Sequence, residues 1–315
     1  MQLAERLQCS SKVKSKLDTS KACMAVSKKK SGKPKSLSHG RPPTVKPPPS
    51  LSSKATRTLI RAHHTLEKQK AIAQKAGDAI KVADLERQIA KQGGIEKYQT
   101  ASLIGQGNER GGDSSKILMD WLKPIIPSLK ARTGEQKLRL LEVGALSTTN
   151  ACSRSGLFDT ERIDLNSQAQ GITQQDFMER PLPKLSNGKF EIISLSLVLN
   201  YVPDAVSRGE MLKRTLQFLR SPLGESEEEL QTVFPALFLV LPAPCVSNSR
   251  YMDEPKLEAI LTSLGYAKVH KKLSNKLVYY LWRAVDLTPK AKREQFKKVE
   301  VRAGGTRNNF AIILK

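Results

Sequence analysis

Three short apolar runs limit what this chain can fold into: LRLLEV at 138–143, FEIISLSL at 190–197 and ALFLVLP at 236–242. The first is too short for a helix and ends at Gly144, and the last is punctuated by Pro242 and Pro244. Strands that are apolar at almost every position are buried on both faces, as in parallel sheets covered by helices. Between and after them lie amphipathic helical stretches, RGEMLKRTLQFLR (208–220) and KLEAILTSLGY (256–266), the second with Gly265 as its stop. YAKVHKKLSNKLVYYLWRAV then alternates through a hairpin at Ser274-Asn275, and RNNFAIILK is expected to be a last strand. Alternation of this kind specifies an α/β sheet with helices on both faces.

The stretch 138–176 carries the chemistry. After the first strand, with Glu142 and Gly144 at its exit, comes a second short one, ERIDL, ending at Asp164, twenty residues beyond Gly144. In a dinucleotide fold that spacing sets a carboxylate at the tip of the second strand, within reach of ribose hydroxyls. Gly144 lets backbone approach a ligand without a Cβ in between. Yet where G-x-G-x-x-G would run, the chain reads Gly144, Leu146, Thr149, so a pyrophosphate cradle is missing. A ligand with ribose and adenine but no phosphates does not need one, and S-adenosylmethionine is the obvious candidate. Ser147, Thr148 or Asn150 would then supply hydrogen bonds in place of the absent glycines.

The formal charge of +23 points to a polyanionic partner, since neutralised phosphates release counterions. Cys9, Cys23, Cys152 and Cys245 form no C-x-x-C pair, which argues for a reducing compartment and against a zinc site. Residues 1–51, rich in Lys, Ser and Pro, are expected to be a disordered basic tail, because they cannot bury enough apolar surface to offset chain entropy. Lys28-Lys29-Lys30 with Lys33 and Lys35 reads as a nuclear or nucleolar address or an RNA-grazing arm. A signal peptide and a membrane-spanning run are not expected.

From 52 to 112 we expect a helical lobe, with 113–315 as the α/β domain. Leu59, His63, Leu66 and Ile72, then Ile80, Leu85 and Ile89, recur at helical intervals, with Gly77-Asp78 dividing two helices and Gly93-Gly94 ending the second. The glycine-rich segment that follows carries Tyr98, Ser102, Gln106 and Arg110. Two readings fit it: a binding loop, or polar groups that stitch the lobe to the core. Ile117, Leu118, Trp121 and Leu122 form an apolar helix face ending at Pro124.

GGIEKYQTASLIGQGNERGGDSSKILMDWL, LLEVGALSTTN, RIDLNSQAQGITQQDFMERPLP, SLSLVLNYVPDAVSRGEML and LFLVLPAPCVSNSRY, in this order, resemble the fungal nucleolar class I methyltransferases that methylate N1 of an adenine in large-subunit (25S) ribosomal RNA. The resemblance covers about residues 57 to 315. It implies a Rossmann-like seven-stranded sheet, S-adenosylmethionine (SAM) as cofactor, ribosomal RNA or a pre-ribosomal particle as partner, a monomer, and a nucleolar location. The same family resembles a metazoan SAM sensor, so a non-catalytic SAM-binding regulator that binds a protein partner is the alternative. By carry-over, Gly144 and Asp164 contact SAM, Glu142 orients its amino group directly or through water, and Asp176 and Phe177 bracket its adenine. Exocyclic-amine methyltransferases show N-P-P-[FY] after the fourth strand, where this chain has Ser196-Leu197-Val198-Leu199. The base pocket is expected outside the strand ends, at Asn200 and Tyr201 and at Asn248, Ser249 and Arg250, with Tyr201 stacking on a flipped base, Asn200 reading its edge and Arg250 holding a phosphate.

Overall fold

A computed structural model of the chain describes residues 53–106, 112–132, 137–167, 169–221, 228–288 and 294–315. The basic tail and its lysine cluster lie outside the described residues. In chain order come α1 (Ser53–Lys75), α2 (Ala79–Lys91), α3 (Gly94–Gln106), α4 (Ser115–Trp121), a 3-10 turn, α5 (Ile126–Ala131), β1 (Leu138–Val143), α6 (Ala151–Arg154), β2 (Phe158–Asp164) and β3 (Thr173–Gln174). Then follow β4 (Ile192–Ser196), α7 (Ala205–Phe218), α8 (Glu228–Gln231), β5 (Ala236–Pro242), α9 (Pro244–Ser247), α10 (Glu254–Leu264), β6 (Tyr266–Leu273) and β7 (Leu277–Ala284). The lobe helices and the sheet belong to one unit, residues 51–315.

The sheet has seven strands in the order β3-β2-β1-β4-β5-β7-β6. β3 to β5 run parallel, and β7 enters antiparallel between β5 and β6. Each central strand feeds two cores by simple alternation. Leu141, Val143, Ile193, Leu195, Leu237, Leu239 and Leu241 face one side, packed with α7 and α10. Leu138, Leu140, Ile192, Ala236, Phe238 and Val240 face the other, packed with α4 and α5. Burial on both faces is why these strands read as continuous apolar runs.

The seventh strand is not where the sequence suggests. RNNFAIILK makes only isolated bridges, Ser249 with Asn308 and Phe296 with Leu314. Its apolar residues instead fill a groove beside α7, where Phe310, Ile312 and Leu314 join the core. The strand count is completed by the two-residue β3, too short and too exposed to carry a periodic signal.

The helical lobe also departs in detail. Asp78 caps α2 by accepting from the Lys81 amide (3.0 Å), as the Gly77-Asp78 break suggests. The glycine pair, however, starts α3, so the segment bearing Tyr98 and Gln106 is a helix and not a loop. The small lobe core is Leu66, Ala73, Leu85 and Ile89. Ile80 and Ile72 are 86 % and 58 % exposed, against expectation. At 100° per residue, Ile80 lies about 140° round the helix from Leu85, and Ile72 about 120° from Leu66, so neither shares the packed stripe.

Candidate active site

β1 and β2 lie side by side with Val143 opposite Ile163, so the residues just past them meet. The Gly144 amide donates to the Ile163 carbonyl (2.8 Å), and Asp164 follows directly. Gly144 has φ +73°, and a Cβ there would stand 2.5 Å from Val198 Cγ2, on the turn that leaves β4. The glycine is therefore required twice, for its left-handed backbone and for the close approach. Leu197 is the single non-glycine residue with positive φ (61°) among the described residues, and it begins that same turn. Strain of this kind persists only where surrounding structure holds it; here the Leu197 amide is bonded to Val240 (3.0 Å), and Ser196 Oγ to Ser114 Oγ (2.8 Å).

These strand ends open on a cavity of about 990 Å³. Gly144, Asp164, Asp176, Phe177, Asn200 and Tyr201, nominated from sequence, all line it. The volume stands at the upper end of small-molecule pockets, roughly 300–1,000 Å³, with room for more than one ring system. The Asp164 carboxylate receives the Asn166 amide (2.8 Å) and the Gln99 side-chain amide (2.7 Å) on Oδ1. Burial raises its pKa, while those two hydrogen bonds oppose the rise. Asp176 Oδ1 caps the Met178 amide (2.7 Å). Phe177 is only 2 % exposed and packs on Phe218 at 5.3 Å, so it is the floor of the cavity as much as a wall.

Asn200 and Tyr201 differ in their surroundings. Asn200 Oδ1 is buried with no hydrogen-bond partner, an acceptor held beside the cavity and left unmet by the protein. The Tyr201 hydroxyl is 3.1 Å from His63 Nε2, and the His64 ring meets the Tyr201 ring edge-on at 5.0 Å. Burial lowers the pKa of both histidines, that of His64 to about 4, helped by the charges of His63 and Arg208. The imidazole of His64 is therefore neutral at physiological pH, and with Ile60 it lines the cavity from α1.

Other nominated residues lie off the cavity wall. Glu142 is not on the cavity wall; its two oxygens accept from Asn150 Nδ2 at 2.8 and 2.7 Å. Burial pushes its carboxyl up to about 7, against the pull of Asn150 and Arg162. Asn150 itself caps α6 through the Ser153 amide (2.9 Å), so Glu142 holds the loop that follows Gly144. Of that loop, Leu146 reaches the cavity, whereas Ser147 is bonded to Thr149 (2.9 Å). Asn248, Ser249 and Arg250 are not on the wall either. They tie down the C-terminal segment: Ser249 Oγ donates to Phe310 (2.6 Å), Arg250 to Gly304 (3.0 Å), and Asn248 accepts from Arg307 (3.2 Å). The reason is topological, since the tail returns across the β5 exit and occupies what the sequence presents as open.

Sequence reasoning passed over Gln99, which is 3 % exposed and also bonds the Asn166 carbonyl (2.8 Å) and side chain (3.0 Å). In the sequence His63 reads as a periodic helix position, and His64 carries no signal of its own. A buried glutamine has no sequence signature, and the paired histidines show none of the spacing that metal sites have. Among the described residues no His, Cys, Asp or Glu cluster could hold a metal ion, and no helix is long and apolar enough to cross a membrane.

The family described as 25S rRNA (adenine(2142)-N(1))-methyltransferase, Bmt2, matches residues 83–312. The chain belongs to this family. A 25S rRNA adenine-N(1) methyltransferase of Schizosaccharomyces pombe is 42 % identical over 257 residues, covering 81 % of this chain and 89 % of that protein. The 25S rRNA (adenine(2142)-N(1))-methyltransferase of Saccharomyces cerevisiae is 41 % identical over 228 residues, 72 % of this chain and 62 % of that one. Among solved structures, the O-methyltransferase NcsB1 from neocarzinostatin biosynthesis, in complex with S-adenosylmethionine and 2-hydroxy-5-methyl naphthoic acid, has 9 % identity and a TM-score of 0.39, covering 73 % of this chain and 71 % of that chain. The matched family segment begins within α2 and spans the whole sheet, and so contains every cavity residue nominated from sequence.

Proposed function

We propose that this chain transfers the methyl group of SAM to N1 of an adenine in 25S ribosomal RNA. The observation that carries the reading is one cavity whose wall brings together the adjoining Gly144 and Asp164 and the buried, unmet acceptor of Asn200. The residues fit SAM: Gly144 lines the cavity with a left-handed backbone pressed against Val198, and a carboxylate stands at the tip of β2 to accept both ribose hydroxyls. Asp176 and Phe177, both on the cavity wall, would bracket the adenine, the carboxylate receiving its amino group. When bound, SAM supplies an electrophilic methyl on a sulfonium.

The protein's part is mostly placement. N1 of neutral adenine carries a lone pair, so no strong base is needed to make it a nucleophile. Asn200 Oδ1 accepts from the N6 amino group, which turns N1 toward the methyl and leaves guanine, with a carbonyl at that position, unmatched. Tyr201, whose hydroxyl meets His63, would stack on the extruded ring. Neutral His64 adds no positive charge near a product that becomes cationic at N1. Exclusion of water and fixed geometry supply most of the rate.

Family membership favours catalysis over a purely regulatory role, and the basic tail favours a nucleic-acid partner, free or within a pre-ribosomal particle. The same tail supports a nucleolar location, to be tested by imaging a chain whose Lys28, Lys29 and Lys30 are replaced by Ala. For the activity itself, nucleoside mass analysis of 25S rRNA from a deletion strain should show loss of 1-methyladenosine, restored by the wild-type chain and not by Asp164→Ala. Unchanged 1-methyladenosine in the deletion strain would refute the proposal.

A further inference from the structure

We infer that the tip of the β6–β7 hairpin is the RNA-engaging rim of the site, with Leu273 as an apolar wedge filling the stack that the target base vacates and Lys272 and Lys276 on the flanking phosphates. This rests on the RNA reading above and says where and how that RNA is gripped. Ser274, Asn275, Lys276 and Leu277 form part of the cavity wall. Residues 271–276 are all exposed, and Leu273, immediately before the wall begins, is 59 % exposed.

An exposed leucine alone means little. Three further features single this one out. The tip is stiff: the Ser274 amide donates to the Leu277 carbonyl (2.8 Å), and Ser274 Oγ accepts from the Leu277 amide (3.1 Å), leaving a two-residue turn. The Lys276 carbonyl accepts from the Ala243 amide (2.8 Å), which fixes the tip to the β5 exit. The hairpin is also one-signed, because Tyr266–Ala284 contains four lysines, an arginine and a histidine and no acidic residue. On its strands Lys268 and Lys271 are matched by Glu258 and Glu254 of α10. Asp120 of α4 lies close enough to feel Lys272, and is itself paired with Lys123 (2.8 Å). At the tip, Lys276 lines the cavity and Lys272 directly precedes the exposed Leu273.

An adenine can reach Asn200 only after leaving its stack, and the gap it leaves is costly unless an apolar group fills it. A rigid hairpin with one protruding leucine beside the mouth meets that need, and lysines on either side of it are placed for the phosphates flanking the extruded nucleotide. Phosphate contacts set position and salt dependence and carry no base specificity, which fits their place on the rim and not inside the cavity.

The test uses the full chain, a folded 25S rRNA fragment that contains the target adenine, and a short single strand of the same sequence. Leu273→Ala should cut kcat/KM at least tenfold on the folded fragment and less than threefold on the single strand, with SAM affinity by calorimetry unchanged. Lys272→Glu with Lys276→Glu should weaken RNA binding at least tenfold and make its log–log salt slope shallower by about two. Equal losses on both RNAs for Leu273→Ala, or an unchanged slope for the lysine pair, would overturn the wedge or the phosphate contacts respectively. If the wild-type chain methylates neither RNA, the RNA reading itself fails, and the hairpin proposal falls with it.

Discussion

Asp164 and Glu142 are two carboxylates on neighbouring strands whose environments give them different work. Asp164 faces the cavity and is steadied by Gln99 from α3. Replacing it with Ala should weaken SAM binding by roughly 10- to 100-fold, the scale of one or two charge-assisted hydrogen bonds. Gln99→Ala should weaken binding by less, about tenfold or below, because the carboxylate stays and only its orientation loosens; calorimetry on both variants checks the order. A larger loss for Gln99→Ala would remove Asp164 from its assigned place. Glu142 is a stability group. Its folded pKa of about 7 is raised above an ordinary glutamate's, so its favourable contribution is full below pH ~4.5 and is lost as pH rises through 7. Between those limits the loss amounts to about 3 kcal/mol at most. Urea unfolding from pH 5 to 8 should show the wild type losing stability relative to Glu142→Gln, which keeps the bond to Asn150 and titrates nowhere in that range.

At the scale of elements, the site is made by strand exits pressed together. Gly144→Ala would place a methyl against Val198 and force a left-handed backbone on a residue with a Cβ, at a cost of about 1–3 kcal/mol for the backbone alone. Since Val198 lies in the turn bearing Leu197 and Asn200, the substitution should abolish SAM binding and methylation together while leaving a folded protein by circular dichroism. Adding Val198→Ala relieves the contact and not the backbone, so it should restore binding only in part. This junction was half legible. Gly144 and Asp164 are recognisable because the tight turn and the strand tip constrain residue type at a fixed spacing. Gln99 and the pair His63–His64 were illegible as site residues, since their roles depend on where α1 and α3 land, far away in sequence.

Across the whole molecule, the C-terminal segment closes the structure in a way that its own pattern hides. Arg208, buried on α7, donates to the Val202 carbonyl (2.9 Å) beside Tyr201 and to the Ala311 carbonyl (2.8 Å), and lies 4.6 Å over the Phe310 ring. Gly209 has no room for a side chain: a Cβ would meet the Ile313 carbonyl oxygen at 1.9 Å. Gly209→Ala should therefore undock the tail, costing several kcal/mol by the scale of core overpacking and lost burial. Proteolysis at the C-terminus should accelerate, and methylation should fall as the Tyr201 turn loses its anchor. Retained protection of the tail would show that the carbonyl can move aside.

By itself the sequence determined the alternation of the central strands and helices, the two-faced burial of the sheet and the glycine–carboxylate pair at the tips of its first two strands. These follow from local periodicity, breakers and spacing, which act over a few tens of residues at most. The tertiary structure alone decided that the last apolar segment packs as a strap and not a strand, that Glu142 supports a loop while Asp164 faces the cavity, and that α1 and α3 complete the cavity wall and its hydrogen bonds. Each of those depends on which distant surface a side chain meets, and an apolar or polar residue type does not encode its partner.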